Sequence, residues 1–500
     1  MALTPSLPPD AAWQPLPAAA WDAEAARHLL RRAGWTARPE EAERAKREGL
    51  EATLDRLFPE RPHYFPEPAL AAQVGEDSPA YRSRIRAAAG PEERRTIQKE
   101  EQERIQAALQ DLSLRWLEYA RQPEHAAFAK WVLFLGDVYV VGADKVRDVD
   151  LVFRHFDLLA RGGLGRAPEL TKAVSRSPAM MIYLDLNQNR KEAPNENFAR
   201  ELFELFVLGE GNYTERDIKE AARAFTGYRA RPATADFVFA AGQHDGGIKT
   251  VFGQSGDFGG DEVIDLAYGQ RAAGAFLPHE LAKFYLSDAP LPREHLLALG
   301  DAWRSGGYDL RWLARRFFGS RLFFAPEYRG NFIKSPVQFY LGMTQDLGLS
   351  VPPLPRFVLS PLRQMGQVLF VPPNVRGWVG GRAWINSTSL AARRTLAEML
   401  FTPVDDLRLN ADEARALAAA RADGAGHFSV PAARLDPFLA ESPAEAARRM
   451  QSEFLAAPPE PALQQGLADY LAAAAPGPDR FRRVRRAAIT LLETPAYQLC

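Results

Sequence analysis

The chain has 500 residues, 46% hydrophobic and 25% charged, with 62 basic against 63 acidic side chains and a formal net charge of −1. The length exceeds one ordinary hydrophobic core, and the composition is that of a folded rather than a disordered chain. A near-neutral chain lacks the field that holds a nucleic-acid backbone or an anionic membrane, and a single cysteine, Cys500, excludes an intrachain disulfide and a thiolate metal cluster.

The start, Met1 to Gly34, is a Pro/Ala-rich arm with no basic segment leading into an apolar run, so it does not read as a signal peptide. No window approaches the roughly 18 apolar residues of a membrane span. These features predict a soluble, cytoplasmic protein with no nucleic-acid partner.

Helical periodicity dominates the chain. It predicts helices over Asp22 to Ala33, Pro39 to Phe58, Pro91 to Arg121, Phe128 to Val141, Ala167 to Ser177 and Asn195 to Leu208. A Pro-rich linker, "FPERPHYFPEPAL", separates the second and third. "DFVFA" (Asp236 to Ala240) and "IKTVFG" (Ile248 to Gly253) flank "AGQHDGG" and read as one small hairpin. Asp261 is the expected cap of the helix that follows. Val351 to Trp384 is Pro- and Gly-rich and reads as ordered irregular chain, Ala411 to Ala422 as helix, and the last 50 residues as two or three short helices. "RFRRVRR" (Arg480 to Arg486) reads as a solvated basic face. The fold class is therefore mainly α: a multi-helical body with one small β-hairpin and long irregular Pro/Gly-rich segments. The expected division is an N-terminal arm and helical pair over 1–70, a helical core over 71–400 and a C-terminal helical extension over 401–500.

The densest chemistry lies in "NENFARELFELFVLGEGNYTERDIKEAARAFTGY", from Asn195 to Tyr228. Asn195 suits a helix N-cap. At 100° per residue, Glu196, Asn197, Arg200, Glu201 and Glu204 share one arc of about 140°. A solvent-facing stripe of ion pairs is one reading. Against it, Val207 and Leu208 fall in the same arc and the opposite arc is apolar, so the helix reads as buried and its carboxylates as paired or bound. Arg200 can clamp a carboxylate or an anionic group. His244 and Asp245 at the predicted hairpin turn, followed by Lys249, are candidates for acid/base or ligand work. "PPNVRGWVGGRAWIN" (Pro372 to Asn386) reads either as a wall carrying Arg376 and Trp378 or as tryptophans plugging a core.

These stretches, with "IKSPVQFYLGM", "MGQVLFVPPNVRGWVGGRAWIN", the opening "AARHLLRRAGWTARPEEAERAKREGLEATLDRLF" and the closing "LLETPAYQLC", resemble the bacterial family catalogued as domain of unknown function 1800, over nearly the whole chain. The resemblance implies a partner from a sulfatase-like family found beside relatives, and an envelope setting that this chain's start does not match. In relatives a His-Asn-His-Phe-like stretch falls where this chain has "FLGDVYV", Phe134 to Val140, so both histidines are absent and Asp137 is the one substitute ligand. A divalent metal here would then rest on carboxylates and would suit magnesium, calcium or manganese better than zinc.

Three readings stand together. One is an enzyme, a hydrolase by default, with Glu201, Glu204, His244 and Asp245 as catalytic groups and Asn195, Arg200, Lys249, Arg376 and Trp378 as binding groups. The second is a non-catalytic binding or scaffold protein, a degenerate family member acting with a partner. The third is a buried polar network that holds helices to the hairpin.

Overall fold

The computed structural model describes residues 5–231, 236–406, 408–457 and 460–500. Among them it is built almost wholly of helices, with two small two-stranded antiparallel sheets. The start of the Pro/Ala-rich arm, Met1 to Thr4, lies outside the described residues. The rest of the arm is docked: Trp13 is buried, and its indole N–H donates to the His295 carbonyl at 2.7 Å.

The predicted helices form with local changes. Asp22 caps Ala23–Ala33, its carboxylate accepting from the Ala25 amide. Pro39 to Phe58 is two helices, Pro39–Glu48 and Leu50–Leu57, because Gly49 takes φ +85° and breaks the turn between them. Ala69–Ala87 is a helix where the sequence, interrupted by Gly75 and Pro79, predicts none; packing against Pro91–Arg121 and Val149–Gly162 overrides propensity. Gly259, not Asp261, precedes the helix Gly260–Gly269, with the Glu262 carboxylate accepting from the Gly259 amide at 3.1 Å; Asp261 pairs with Arg176 instead. Within the expected irregular stretch, Pro355–Gln364 is helical.

The helix Pro123–Val138 is central. It is apolar on most sides and buried from Ala126 to Gly136, as a helix inside a large core must be. Its end is fixed by fully buried His155, whose Nε2 hydrogen donates to the Tyr139 carbonyl at 2.9 Å while Nδ1 meets Ser177 Oγ at 3.0 Å. Burial pushes His155 down to about 4, so it is neutral.

The β region departs from the predicted pairing. Phe237–Phe239 (β2) pairs back with Tyr228–Ala230 (β1), and Lys249–Val251 (β3) pairs forward with Gln254–Gly256 (β4). Phe252 and Gly253 turn the second hairpin at φ +48° and +76°, the positive values a two-residue turn needs. Between β2 and β3 the chain is tied down instead of pairing across. Residues Ala241–Gln243 make a 3-10 turn, and the Asp245 amide donates to Thr226 Oγ1 at 2.8 Å.

Candidate functional site

Asn195 does not cap a helix. Its side chain accepts from the Asn197 amide two residues on, at 2.9 Å, and the helix starts at Asn197. After Glu201 the helix widens. Leu202–Val207 is π-helical, with the Leu208 amide donating to the Phe203 carbonyl five residues back, at 2.9 Å. A wider turn rotates later residues away from the 100° wheel. That is why Val207 and Leu208, placed by the wheel in the polar arc, are buried.

The polar side chains divide into three sets. Arg200 pairs with Glu196 at 3.3 Å and in a fork with Glu215 at 2.8 and 2.9 Å. This is a surface arrangement, since the Arg200 side chain is 35% and that of Glu215 67% exposed. It corrects the expectation that Arg200 neutralises a buried carboxylate.

Glu204 belongs to a second set. It accepts from the Tyr213 hydroxyl at 2.6 Å and from Arg376 at 2.6 Å, while Arg376 also reaches Glu210 at 2.8 Å. The Glu201 carboxylate makes no hydrogen bond among the described residues. Half-buried beside Glu204, it is held above the ordinary carboxylate range, by burial first and then by that neighbour's charge. Burial, with Glu204 beside it, likewise keeps the Tyr213 proton on.

His244 and Asp245 form the third set. The His244 Nδ1 hydrogen donates to the Thr226 carbonyl at 2.9 Å, and the ring packs on Phe239. Asp245 is held by Arg223 at 2.7 and 3.2 Å and accepts from the Gly247 amide at 2.9 Å; Arg223 keeps it below the usual carboxylate range. Lys249 is fully buried and donates outward to Asp257 at 3.0 Å.

No hydrogen bond or ion pair among the described residues joins Glu201 or Glu204 to His244 or Asp245. The helix Glu215–Ala224 packs against both Asn197–Glu201 and β3 and so lies between the two sets. The stripe does touch the second hairpin, through Phe203 and Phe252 with ring centroids 5.0 Å apart, but its Glu204 carboxylate meets the Arg376 turn.

That turn is anchored from below. Asp137 accepts from the Trp378 amide at 2.8 Å, and Trp378 and Trp384 are buried as core plugs. Of the two loop residues expected to bind, Arg376 stays open, at 57% side-chain exposure, and Trp378 does not. Sequence reasoning weighed Asp137 only as a ligand. Tyr213, Glu210 and Arg223 it passed over, although all three stand in the quoted motif. What marks them is proximity after folding, which spacing along the chain does not encode.

Among the described residues no group of three or more His, Cys, Asp or Glu side chains is placed to hold a metal ion. The donor set therefore does not fit a metal centre built from Asp137, Glu201, Glu204, His244 and Asp245. Two cavities, of about 20 and 30 Å³, lie elsewhere, one aromatic under Phe65, Trp116 and Phe370 and the other beside Thr36 and Gln345. Each has room for about one water molecule.

Together these features define a mainly helical protein whose most distinctive polar feature is a carboxylate–arginine cluster on a π-widened helix. No described helix is long and apolar enough to cross a membrane. The chain belongs to the family described as "Protein of unknown function (DUF1800)", which matches residues 28–499. No curated protein and no solved structure matches it.

Proposed function

We propose that this chain is a non-catalytic binding or scaffold protein, a degenerate member of its family that acts with a protein partner. One observation carries the reading: the four groups cast for catalysis are divided, and three of them are engaged. Asp245 is held by Arg223, the His244 Nδ1 hydrogen by a carbonyl, and Glu204 by Tyr213 and Arg376. A general base or nucleophile needs a partner within reach and a reacting atom between them. The partner class the family resemblance implies is the sulfatase-like one, and the exposed Arg376–Val379 turn, with Val379 69% exposed, is the face we assign to it.

The test mixes the purified chain with a sulfatase-like protein of that kind and reads mass by light scattering after size exclusion. The expected outcome is a complex that Val379→Asp weakens at least tenfold. Separate elution at micromolar concentration removes the proposal.

Glu201 supports a second reading. A half-buried carboxylate with no hydrogen-bond partner and a raised proton affinity, beside a second carboxylate bound to arginine, is a pattern of acid/base pairs. If the chain is a hydrolase, chromogenic phosphate, sulfate, ester or glycoside substrates will turn over and Glu201→Gln will abolish it. The scaffold reading expects no turnover in either protein.

A further inference from the structure

Glu201 has a second neighbourhood besides Glu204. Asn197, one turn earlier on the same face of its helix, donates from its side chain to the Leu184 carbonyl at 3.1 Å. That bond sets the face against the end of the helix Pro178–Tyr183 and brings Glu201 to Tyr183. Tyr183 is only 9% exposed, yet its hydroxyl makes no hydrogen bond among the described residues. A third element closes in from another side. The helix Ala143–Val146 packs on Pro178–Tyr183. A Cβ at Gly142 would overlap Asp144 Oδ1 and lie 3.1 Å from Tyr183 Cε2, the ring carbon beside the one that bears the hydroxyl. The Asp144 carboxylate therefore stands at the hydroxyl end of the ring. Burial first, then the charges of Asp144 and Glu201, hold the proton on that hydroxyl.

The cations of this surface are already engaged. Lys145 pairs with Asp185 at 2.9 Å, Arg200 with Glu196 and Glu215, and Arg376 with Glu204 and Glu210. Each is matched or outnumbered before Asp144 and Glu201 are counted, and among the described residues those two carboxylates form no ion pair. The surplus negative charge and the unpartnered buried hydroxyl meet at one place, which favours a cation with hydrogens to donate.

We propose that Asp144, Tyr183 and Glu201 form a binding site for an organic cation, an ammonium group on an alkyl chain. Three acceptors on three separate elements match the three N–H donors of an ammonium. A guanidinium is a flat fork that takes one carboxylate edge-on, as Arg200 takes Glu215. A metal ion needs several oxygens at about 2.0–2.6 Å, and no group of described residues is placed to supply them. Hydrogen bonds of about 2.8 Å span acceptors set farther apart. The aromatic floor suits the same charge, since the Lys145 ammonium already lies 5.9 Å from the Tyr183 ring centroid. The site goes beyond the scaffold reading and does not rest on it: the ammonium is that of a partner's lysine or of a free amine, and the experiment separates the two.

The test is a saturation-transfer NMR titration of the full chain at low salt with n-butylammonium and with N-acetyl-lysine methylamide. The neutral analogues n-butanol and N-acetyl-norleucine methylamide serve as controls. Binding of an ammonium compound on the order of millimolar is expected, with none of the neutral ones. Glu201→Gln and Asp144→Asn should each weaken it about tenfold, and Tyr183→Phe about threefold. Asp301→Asn, at the Arg271 ion pair elsewhere, should leave it unchanged. Urea midpoints of the variants at the wild-type value report that the fold is kept. Binding of butylammonium alone assigns a free amine, and binding of the lysine compound, with or without butylammonium, assigns a polypeptide lysine. The proposal is overturned if neither ammonium compound binds up to tens of millimolar, if the neutral analogues bind equally, or if folded Glu201→Gln and Asp144→Asn proteins bind like the wild type.

Discussion

Arg200 and Arg223 show how place in the fold sets the worth of a charge. Both are arginines with two carboxylate partners. Arg200 forks onto Glu215, which stands open to water, so its pairs are screened and contribute little. Arg223 holds Asp245 through two bonds, Glu220 through one, and the Ile248 carbonyl at 3.1 Å. It thereby ties the helix Glu215–Ala224 to the loop before β3, which no strand pairing secures. Arg223→Ala is expected to cost about 2 kcal/mol and Arg200→Ala no more than about 1, read as midpoints of urea unfolding. Equal midpoints would show that the loop does not depend on Arg223. The basic run Arg480 to Arg486 makes the same point. Arg485 donates to the Phe401 carbonyl at 2.8 Å, Arg483 to that of Tyr470 at 3.0 Å, and Arg486 pairs with Glu398 at 3.0 Å. Most of that run is used to join helices.

Among the elements, the helices Arg271–Tyr285 and Arg293–Ser305 meet through bare backbone. Gly274 and Gly300 face each other so closely that a Cβ on Gly274 would lie 2.9 Å from the Gly300 carbonyl oxygen, and one on Gly300 would overlap the Gly274 carbonyl. Neither obstacle is a flexible side chain that can swing away, so the helices must separate. Gly300→Ala is therefore expected to destabilise by about 2–4 kcal/mol, as overpacking at a close contact does. Gly269→Ala, at a helix end with nothing within 4 Å, should be neutral or stabilise by up to about 1 kcal/mol. Differential scanning calorimetry of the two variants checks the contrast, and a Gly300→Ala midpoint at the wild-type temperature would refute it. The π-widened segment is an element of the same kind. It buries Leu202, Phe203, Phe206 and Val207 against the core.

Across the molecule, one continuous set of buried apolar residues runs from Ala12 to Tyr497, with a small satellite at Leu354, Val404, Leu417 and Phe428. Contacts cross the compositional boundary near residue 400. The helix Pro478–Glu493 packs on Ser387–Leu400, and the Lys334 amide donates to the Gln498 carbonyl at 2.8 Å. Deleting residues 478–500 is expected to expose that interface and leave a chain that aggregates or unfolds without a cooperative transition. A soluble truncated protein with the full-length midpoint would instead make the segment an independent extension.

The helices were legible because helix periodicity is local. Hydrophobic residues three and four apart, with Asp22 before one run and Gly34 after it, specify a helix whatever it later packs against. The family was legible for a related reason, since long motifs persist in order along the chain. What the sequence misassigned depended on contacts distant in sequence. Whether Phe237–Phe239 pairs forward or back turns on Thr226 and Arg223 holding the intervening loop. The polar arc of Glu196 to Glu204 presumed 100° per residue, which the π segment breaks. Glu201 and His244 are both polar groups in one motif, and only the helix laid between them by the fold decided that they do not meet. Sequence thus determined the helical class, the single free cysteine and the residues with chemistry to offer. Tertiary structure decided which of them face one another, because burial and distance, not residue type, set whether a charge is paired, spent or free.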